Sequence, residues 1–168
     1  MTMRSAVYAL VVSANLAGAA QTAGGSSSPE TLVKQVLVEL EAKDEKGLHE
    51  LVITEAEFKK YVWPHLQGTL PSIGNVRAAD YFTTYMKASD AGLADRMKSL
   101  GGQKWEVVKV SFGPEKKGKG HRLLPGMQAV LRNTSGEERP FPIAGTVLDQ
   151  GGIYKIATYW VRETSTTK

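Results

Sequence analysis

Two aromatic side chains that carry polar atoms stand beside an imidazole in the segment Tyr61-Val62-Trp63-Pro64-His65. Aromatic walls with a few polar groups are typical of small-molecule pockets, and histidine titrates near neutral pH, which suits it to acid–base catalysis. We therefore predict that Tyr61, Trp63 and His65 contact a ligand. The alternative is that the aromatic rings pack into the core at a helix end and His65 lies exposed in the following loop.

A second candidate set occupies a predicted long helix. Tyr81 and Tyr85 are four residues apart, which places them on one helical face. If this face closes a pocket, either tyrosine or the neighbouring Asp80 would contact a ligand, and burial would raise the pKa of Asp80 so that it acts as a base. We predict that Asp80, Tyr81 and Tyr85 belong to the ligand site. The alternative places Asp80 on the surface and the tyrosines at the edge of the core.

The spacing of a phosphate-binding loop, G-x-x-x-x-G-K, occurs over Gly113–Lys119. In such a loop a serine or threonine follows the lysine and a helix begins there, but this chain has Gly120 at that position and Pro125-Gly126 shortly after it. Without a helix N-terminus there is no dipole to bind phosphate. We therefore predict an ordinary hairpin loop.

Metal-dependent and covalent chemistry find little support in the residue types. The chain has no cysteine, which excludes disulfides, thiolate catalysis and cysteine-based zinc or iron–sulfur sites. His49, His65 and His121 are far apart and form no H-x-x-x-H or H-x-E motif, although they could still converge in space. No G-x-S-x-G nucleophile elbow is present. We predict neither a metal nor a cofactor, and we assign no catalytic residue.

The start of the chain is typical of an export signal. A cationic start at Met1–Arg4 precedes an apolar run over Ala6–Leu16, and small residues follow at Ala17–Ala20. The run is too short to span a bilayer, which requires roughly 20 apolar residues. We expect an exported bacterial protein, periplasmic or secreted, with no membrane span. The missing cysteine also excludes a bacterial lipid anchor.

Charge is modest overall and clustered locally. The formal net charge of +4 is too small to predict nucleic acid binding. Basic residues gather in the glycine-rich stretch Lys116–Arg122, which we predict to be a solvated loop. The alternative is a patch that docks on an acidic surface such as anionic lipid or polysaccharide.

The first half of the chain predicts helices. Ser28-Pro29-Glu30 is a typical helix start, and apolar residues at helical spacing extend the helix over Pro29–Lys43. Asp44 is expected to cap a short second helix. Thr54 and Glu57 have capping-box spacing for a third helix, which Pro64 should end.

The second half predicts a long helix and then strands. Asn75 is expected to cap the long helix and Gly101-Gly102 to stop it. After Gln103 the apolar period changes from 3.6 to 2, with Val108, Val110 and Phe112 on one face of the first strand. The four predicted strands are Trp105–Phe112, Met127–Arg132, Arg139–Leu148 and Ile153–Arg162.

Helices followed by antiparallel strands predict an α+β fold with N-terminal helices packed on a curved four-stranded sheet, a cone-like half barrel. Such a sheet leaves a pocket between the layers. We predict a signal peptide over residues 1–20, a flexible linker over 21–28, a single domain over 29–162 and a disordered tail over 163–168.

This layout, with the step Ala42-Lys43-Asp44-Glu45-Lys46-Gly47-Leu48 into a short second helix, resembles the nuclear transport factor 2-like superfamily. That superfamily includes polyketide cyclase-like and ketosteroid isomerase-like proteins. The resemblance implies a conical pocket and a possible homodimer through the open sheet face. Members commonly have a short strand where this chain has the capped helix after Thr54, so a cystatin-like relative is the alternative. The catalytic tyrosine and aspartate of the family have no definite counterpart here.

Three functions follow from these patterns. The leading hypothesis is non-catalytic binding of a small apolar or amphipathic ligand, or of a partner segment, in the cavity between helices and sheet. The second is an acid–base enzyme of the polyketide cyclase, isomerase or dehydratase type that uses His65, Asp80 or Tyr85. The third is an envelope module that docks on acidic surfaces through the basic stretch Lys116–Arg122.

Overall fold

The computed structural model describes residues 24–161, so the predicted signal peptide and C-terminal tail lie outside the described residues. Helices come first and strands follow, which confirms the α+β prediction. The helices are α1 (Pro29–Ala42), α2 (Glu45–Glu50), α3 (Glu55–Glu57), α4 (Trp63–Thr69) and α5 (Ala78–Leu100). The strands are β1 (Glu106–Ser111), β2 (Lys116–Gly118), β3 (His121–Arg132), β4 (Glu138–Gln150) and β5 (Ile153–Thr158).

Helix α1 starts and ends where local chemistry requires. The Ser28 hydroxyl accepts a hydrogen bond from the Thr31 N–H at 3.1 Å, and Pro29 occupies the first turn. The helix ends at Lys43, whose φ of 55° is left-handed. Its apolar stripe is buried against the sheet, through Leu32, Val33, Val36, Leu37 and Leu40.

The prediction that Pro64 ends the third helix was wrong. The capping box at Thr54 and Glu57 forms as expected, but α3 continues through a π-helical turn, Phe58–Val62, into α4. The Trp63 N–H donates to the Phe58 carbonyl five residues back, so the hydrogen-bond ladder is already widened before the proline. Pro64 then lies in the first turn of α4, where its missing N–H costs no helical bond.

Helix α5 begins two residues later than predicted. Arg77, rather than Asn75, precedes its first turn and provides no side-chain cap. The 3₁₀ turn Pro71–Ile73 extends the preceding loop, because the Val76 N–H donates to the Ile73 carbonyl at 2.9 Å. The predicted stop was right: α5 ends at Leu100, and Gly102 has a left-handed φ of 71°. No helix among residues 24–161 is long and apolar enough to cross a membrane.

The sheet is open and entirely antiparallel, with the order β1-β3-β4-β5 and with β2 also paired to β3. It therefore has five strands rather than the predicted four. The extra strand comes from the basic stretch that was predicted to be a solvated loop. Gly118 pairs with His121 across a two-residue turn in which Gly120 has a φ of 73°. Consequently β3 begins at His121, not at Met127.

A bulge in β1 removes Val108 from the predicted face of that strand. The pairing with β3 shifts register between Val107 and Lys109, and the intervening Val108 is 41% exposed. Val107 packs against the core instead of Val108, while Val110 and Phe112 both pack against the core, on a shared face as predicted. One extra residue on a strand reverses the alternation beyond it, which simple period-2 counting does not reveal.

The end of the chain closes the contact between helices and sheet. Strand β5 ends at Thr158 rather than at Arg162. Tyr159 is then buried, and its hydroxyl donates to the Leu48 carbonyl at 3.1 Å. At the other edge of β5, Ser26 exchanges backbone hydrogen bonds with Tyr154, so this part of the predicted linker lies against the sheet.

Candidate functional site

A cleft of about 430 Å³ lies between α4, α5 and one face of the sheet. Apolar side chains form much of its wall and include Leu66 on α4, Leu123 on β3 and Trp160 after β5. The polar groups come from His65, Tyr81, Tyr85, Lys116 and three threonines, Thr69, Thr146 and Thr158. Helices and sheet therefore enclose an amphipathic space of the kind predicted between the layers.

An aromatic cluster supports the helical wall of the cleft. The buried Phe58 ring contacts Tyr85 at 4.9 Å and Phe82 at 5.1 Å between centroids. Trp63 packs on Tyr81 at 5.3 Å. Trp63 does not line the cleft itself; it is buried behind Tyr81 and holds that ring in place.

Tyr61 also lies behind the cleft rather than in it. Its ring is buried and contacts the His121 ring at 4.9 Å. Its hydroxyl accepts a hydrogen bond from the Gln150 side-chain amide at 2.7 Å. Tyr61 therefore joins the helical segment to the end of β4, a packing role that the sequence analysis considered as the alternative.

His65 faces His121 across the edge of the cleft. Their Nε2 atoms are 3.2 Å apart, and Nδ1 of His121 lies 3.2 Å from the Lys119 carbonyl oxygen. Because a carbonyl only accepts, Nδ1 of His121 donates to the Lys119 oxygen, and the two Nε2 atoms share a hydrogen bond that holds one proton. Burial, with the nearby His121 and Lys116, lowers the pKa of His65 below its ordinary value. The folded protein therefore favours the neutral form of His65.

The two tyrosines of α5 belong to the polar part of the cleft wall. Tyr81 and Tyr85 both line it, as expected for residues four apart on one helical face. Burial, with a smaller effect of Tyr81, raises the pKa of Tyr85, so its phenol keeps its proton. Among the described residues neither hydroxyl has a hydrogen-bond partner, which leaves two donors available to a ligand.

Asp80 does not join them, and the prediction that burial raises its pKa was wrong. The carboxylate is exposed at the start of α5 and accepts two hydrogen bonds from Arg77, at 2.7 and 2.9 Å. These hydrogen bonds lower the pKa of Asp80. The residue lies at the positive end of the helix dipole, where a carboxylate is stabilised. It therefore cannot act as a base in the cleft.

Strand β2 divides its two lysines between different surfaces. Lys116 lines the cleft, whereas Lys117 lies in a second depression beside Arg122 and Asp149. Successive side chains on a strand point to opposite faces. Lys117 pairs with Glu115 at 3.1 Å, and Arg122 pairs with both Glu115 and Asp149. Local acids thus neutralise part of the basic stretch that was considered for docking on acidic surfaces.

Sequence reasoning missed Lys116, Leu66, Thr158 and Trp160 as cleft residues. Lys116 stood in the basic cluster, but its direction follows only once β2 is recognised as a strand. Trp160 falls within the predicted strand Ile153–Arg162, but alternation along a strand does not tell which of its faces lines a groove. These residues were missed because the cleft lining is shared among four strands and two helices.

The histidines do not assemble a metal site. His49 lies apart from the other two, with its Nδ1 3.9 Å from Asp90. Within residues 24–161 no group of three or more histidine, aspartate or glutamate side chains could hold a metal ion. The other two, His65 and His121, face each other through their Nε2 atoms, as described above.

Comparison with known protein families gives no matching family model, and comparison with curated proteins and with solved structures gives no matching protein. The resemblance to the nuclear transport factor 2-like superfamily therefore stays a prediction from the layout of the chain.

Proposed function

We propose that this protein binds a small amphipathic molecule in the cleft between α4, α5 and the sheet, without covalent or metal chemistry. The cleft volume of about 430 Å³ falls within the range of roughly 300–1,000 Å³ that is typical of ligand pockets. Its walls combine apolar side chains with a small number of polar groups. The single observation that carries the proposal is that two tyrosines lining this space, Tyr81 and Tyr85, have hydroxyl groups without a hydrogen-bond partner among the described residues.

The tyrosine hydroxyls without a hydrogen-bond partner favour a cleft that holds a ligand over an empty one. A tyrosine hydroxyl beside apolar surface usually finds a hydrogen-bond partner. Tyr159 illustrates this, since its buried hydroxyl donates to the Leu48 carbonyl. Tyr81 and Tyr85 instead line the cleft among Leu66, Leu123 and other apolar residues, and neither hydroxyl has a partner among the described residues. A ligand with an acceptor and an apolar body complements both features.

The test is binding of the neutral fluorescent probe N-phenyl-1-naphthylamine, which brightens in apolar sites. Wild-type protein should bind it, and Leu66→Trp, which fills the cleft from α4, should abolish binding. The matched control is Gln67→Trp, which adds the same bulk at the exposed neighbouring position and should bind normally. Equal binding by both variants, or no binding by the wild type, would count against the cleft as a ligand site.

Acid–base catalysis is a second candidate, favoured by one observation. His65 and Tyr85 line the same cleft, and His65 is neutral and so able to accept a proton. The generic probe 5-nitrobenzisoxazole reports proton abstraction from carbon by opening to a coloured phenolate. Turnover that is lost in His65→Gln and kept in His49→Gln would establish catalysis. Turnover equal in all three proteins would leave only binding.

A further inference from the structure

We propose that the ligand carries an oxyanion head, the chemistry shared by carboxylates and phosphates, held by Lys116 with the tyrosine hydroxyls of α5 beside an apolar tail. The inference rests on the proposed binding function and names its ligand class. It arises from the positive charge of Lys116 at the cleft, which no acidic side chain among the described residues neutralises.

Among residues 24–161, no aspartate or glutamate lines the cleft. Lys116 supplies its formal positive charge, and among the described residues this lysine makes no ion pair, in contrast to its neighbours Lys117 and Arg122. The adjacent Glu115 is fully engaged, because Lys117 and Arg122 each approach one of its oxygens at 3.1 Å. A cationic ligand head would therefore meet repulsion here, and an anionic head would meet an unpaired ammonium group.

The remaining polar side chains lining the cleft add donors rather than negative charge. The phenols of Tyr81 and Tyr85 have no hydrogen-bond partner among the described residues, as described above. The hydroxyl of Thr69 and that of Thr158 are already engaged, the first with α4 carbonyls and the second with the Trp160 N–H. Hydrogen bonds from a charged or phenolic donor to an oxyanion are among the stronger ones in proteins. An anionic head is thus the best match to this set of groups.

A comparison of Lys116 with Lys117 distinguishes anion binding in the cleft from general electrostatic attraction by the basic stretch. Lys116 and Lys117 are consecutive, exposed and equally charged, but only Lys116 lines the cleft. Removing either lysine changes the net charge of the protein by the same amount. Any difference between the two variants therefore reports the cleft itself.

The experiment measures displacement of N-phenyl-1-naphthylamine from the full-length protein by four ligands with the same ten-carbon chain. These are decanoate, decyl phosphate, decanol and decylammonium, each used below its micelle threshold. We expect both anions to bind at least about tenfold more tightly than decanol, in line with a charged hydrogen bond, and decylammonium to bind more weakly. A preference between the two anions would identify the head as carboxylate or phosphate.

Lys116→Gln should remove the preference for anions and leave decanol binding unchanged, whereas Lys117→Gln should keep it. Tyr85→Phe, which retains the ring packed on Phe58, should weaken both anions several-fold. Equal displacement by all four ligands, or an equal loss in both lysine variants, would overturn the inference while leaving the proposed function intact. Failure of the wild type to bind either the probe or decanol would instead remove the proposed function.

Discussion

The imidazole of His65 lies where three parts of the chain meet. It extends from α4, its Nε2 faces His121 on β3, and Lys116 on β2 is near enough to disfavour a second positive charge. The hydrogen bond between the facing nitrogens holds one proton. Protonating His65 would place a charge on a partly buried ring beside a lysine, so the folded protein favours the neutral form.

This arrangement predicts lower stability in mild acid. Burial and its neighbours lower the pKa of His65 from 6.5 in the folded state, so below that value the unfolded chain binds more protons than the folded one. The contribution of His65 to the free energy of unfolding should therefore be fully present above pH 6.5 and should be lost as the pH falls through the folded pKa. Urea unfolding followed across this pH range measures the slope.

His65→Gln should flatten that slope by removing the titrating ring. His49→Gln, which changes an exposed histidine on α2, is the matched control and should leave it unchanged. An identical pH dependence in wild type and His65→Gln would contradict the assignment.

At the scale of secondary structure elements, the backbone of α5 lies close to the backbone of the segment after β5. Gly92 is buried on α5, and a Cβ atom there would lie 2.5 Å from the Tyr159 carbonyl oxygen. Ser89, one turn earlier, accepts a hydrogen bond from the Tyr159 N–H at 3.0 Å. The helix thus carries the small residues that let the two backbones approach.

Gly92→Ala should lower the free energy of unfolding by about 1–3 kcal/mol, the usual cost of overpacking, although alanine favours the helix by itself. The matched control is Gly68→Ala in α4, where a Cβ would meet nothing within 4 Å. There the gain in helix propensity, up to ~1 kcal/mol, should appear alone. Chemical denaturation of both variants measures the two effects, and a stabilising Gly92→Ala would show that the contact is looser than described.

Across the whole molecule, polar contacts tie the helical layer to the sheet around the apolar core. Lys155 on β5 donates to Glu57 on α3 at 2.7 Å, and their side chains are only 15% and 19% exposed. Burial opposes ionisation of Glu57, but hydrogen bonds from Lys155 and Thr54 outweigh it and lower its pKa. Tyr61 with Gln150 and His65 with His121 make parallel connections.

Lys155→Gln should therefore destabilise the fold by about 1–3 kcal/mol near neutral pH, because it leaves a half-buried carboxylate without its charged partner. Since the folded pKa of Glu57 is lowered from 4.5, the stabilisation is present above that value and is lost as the pH falls through the folded pKa. The difference between variant and wild type should shrink accordingly in acid denaturation profiles.

The control for this pair is Lys59→Gln, which breaks a more exposed pair with Glu55 on consecutive helical turns. Exposed pairs of this kind contribute roughly 0–1 kcal/mol. An equally large effect of both substitutions would mean that burial does not distinguish the two pairs.

Local chemistry was sufficient for part of this description. Ser28, Asp44 and Thr54 each cap a helix as predicted, and the change of apolar period correctly placed the strands after the helices. These signals depend on residues a few positions apart. Where a neighbouring segment altered the local geometry, prediction failed, as at the π-helical turn before Pro64 and the bulge at Val108.

By itself the sequence determined the α+β order, the helix starts and the shared face of Tyr81 and Tyr85, because hydrogen bonds and periodicity within one element are short-range. Only the tertiary structure decided which groups meet. It placed His65 against His121, 56 residues away, turned Lys116 toward the cleft, and kept Asp80 outside it with Arg77. Such contacts depend on strand register and on how the layers pack, and one bulge or one added strand changes both.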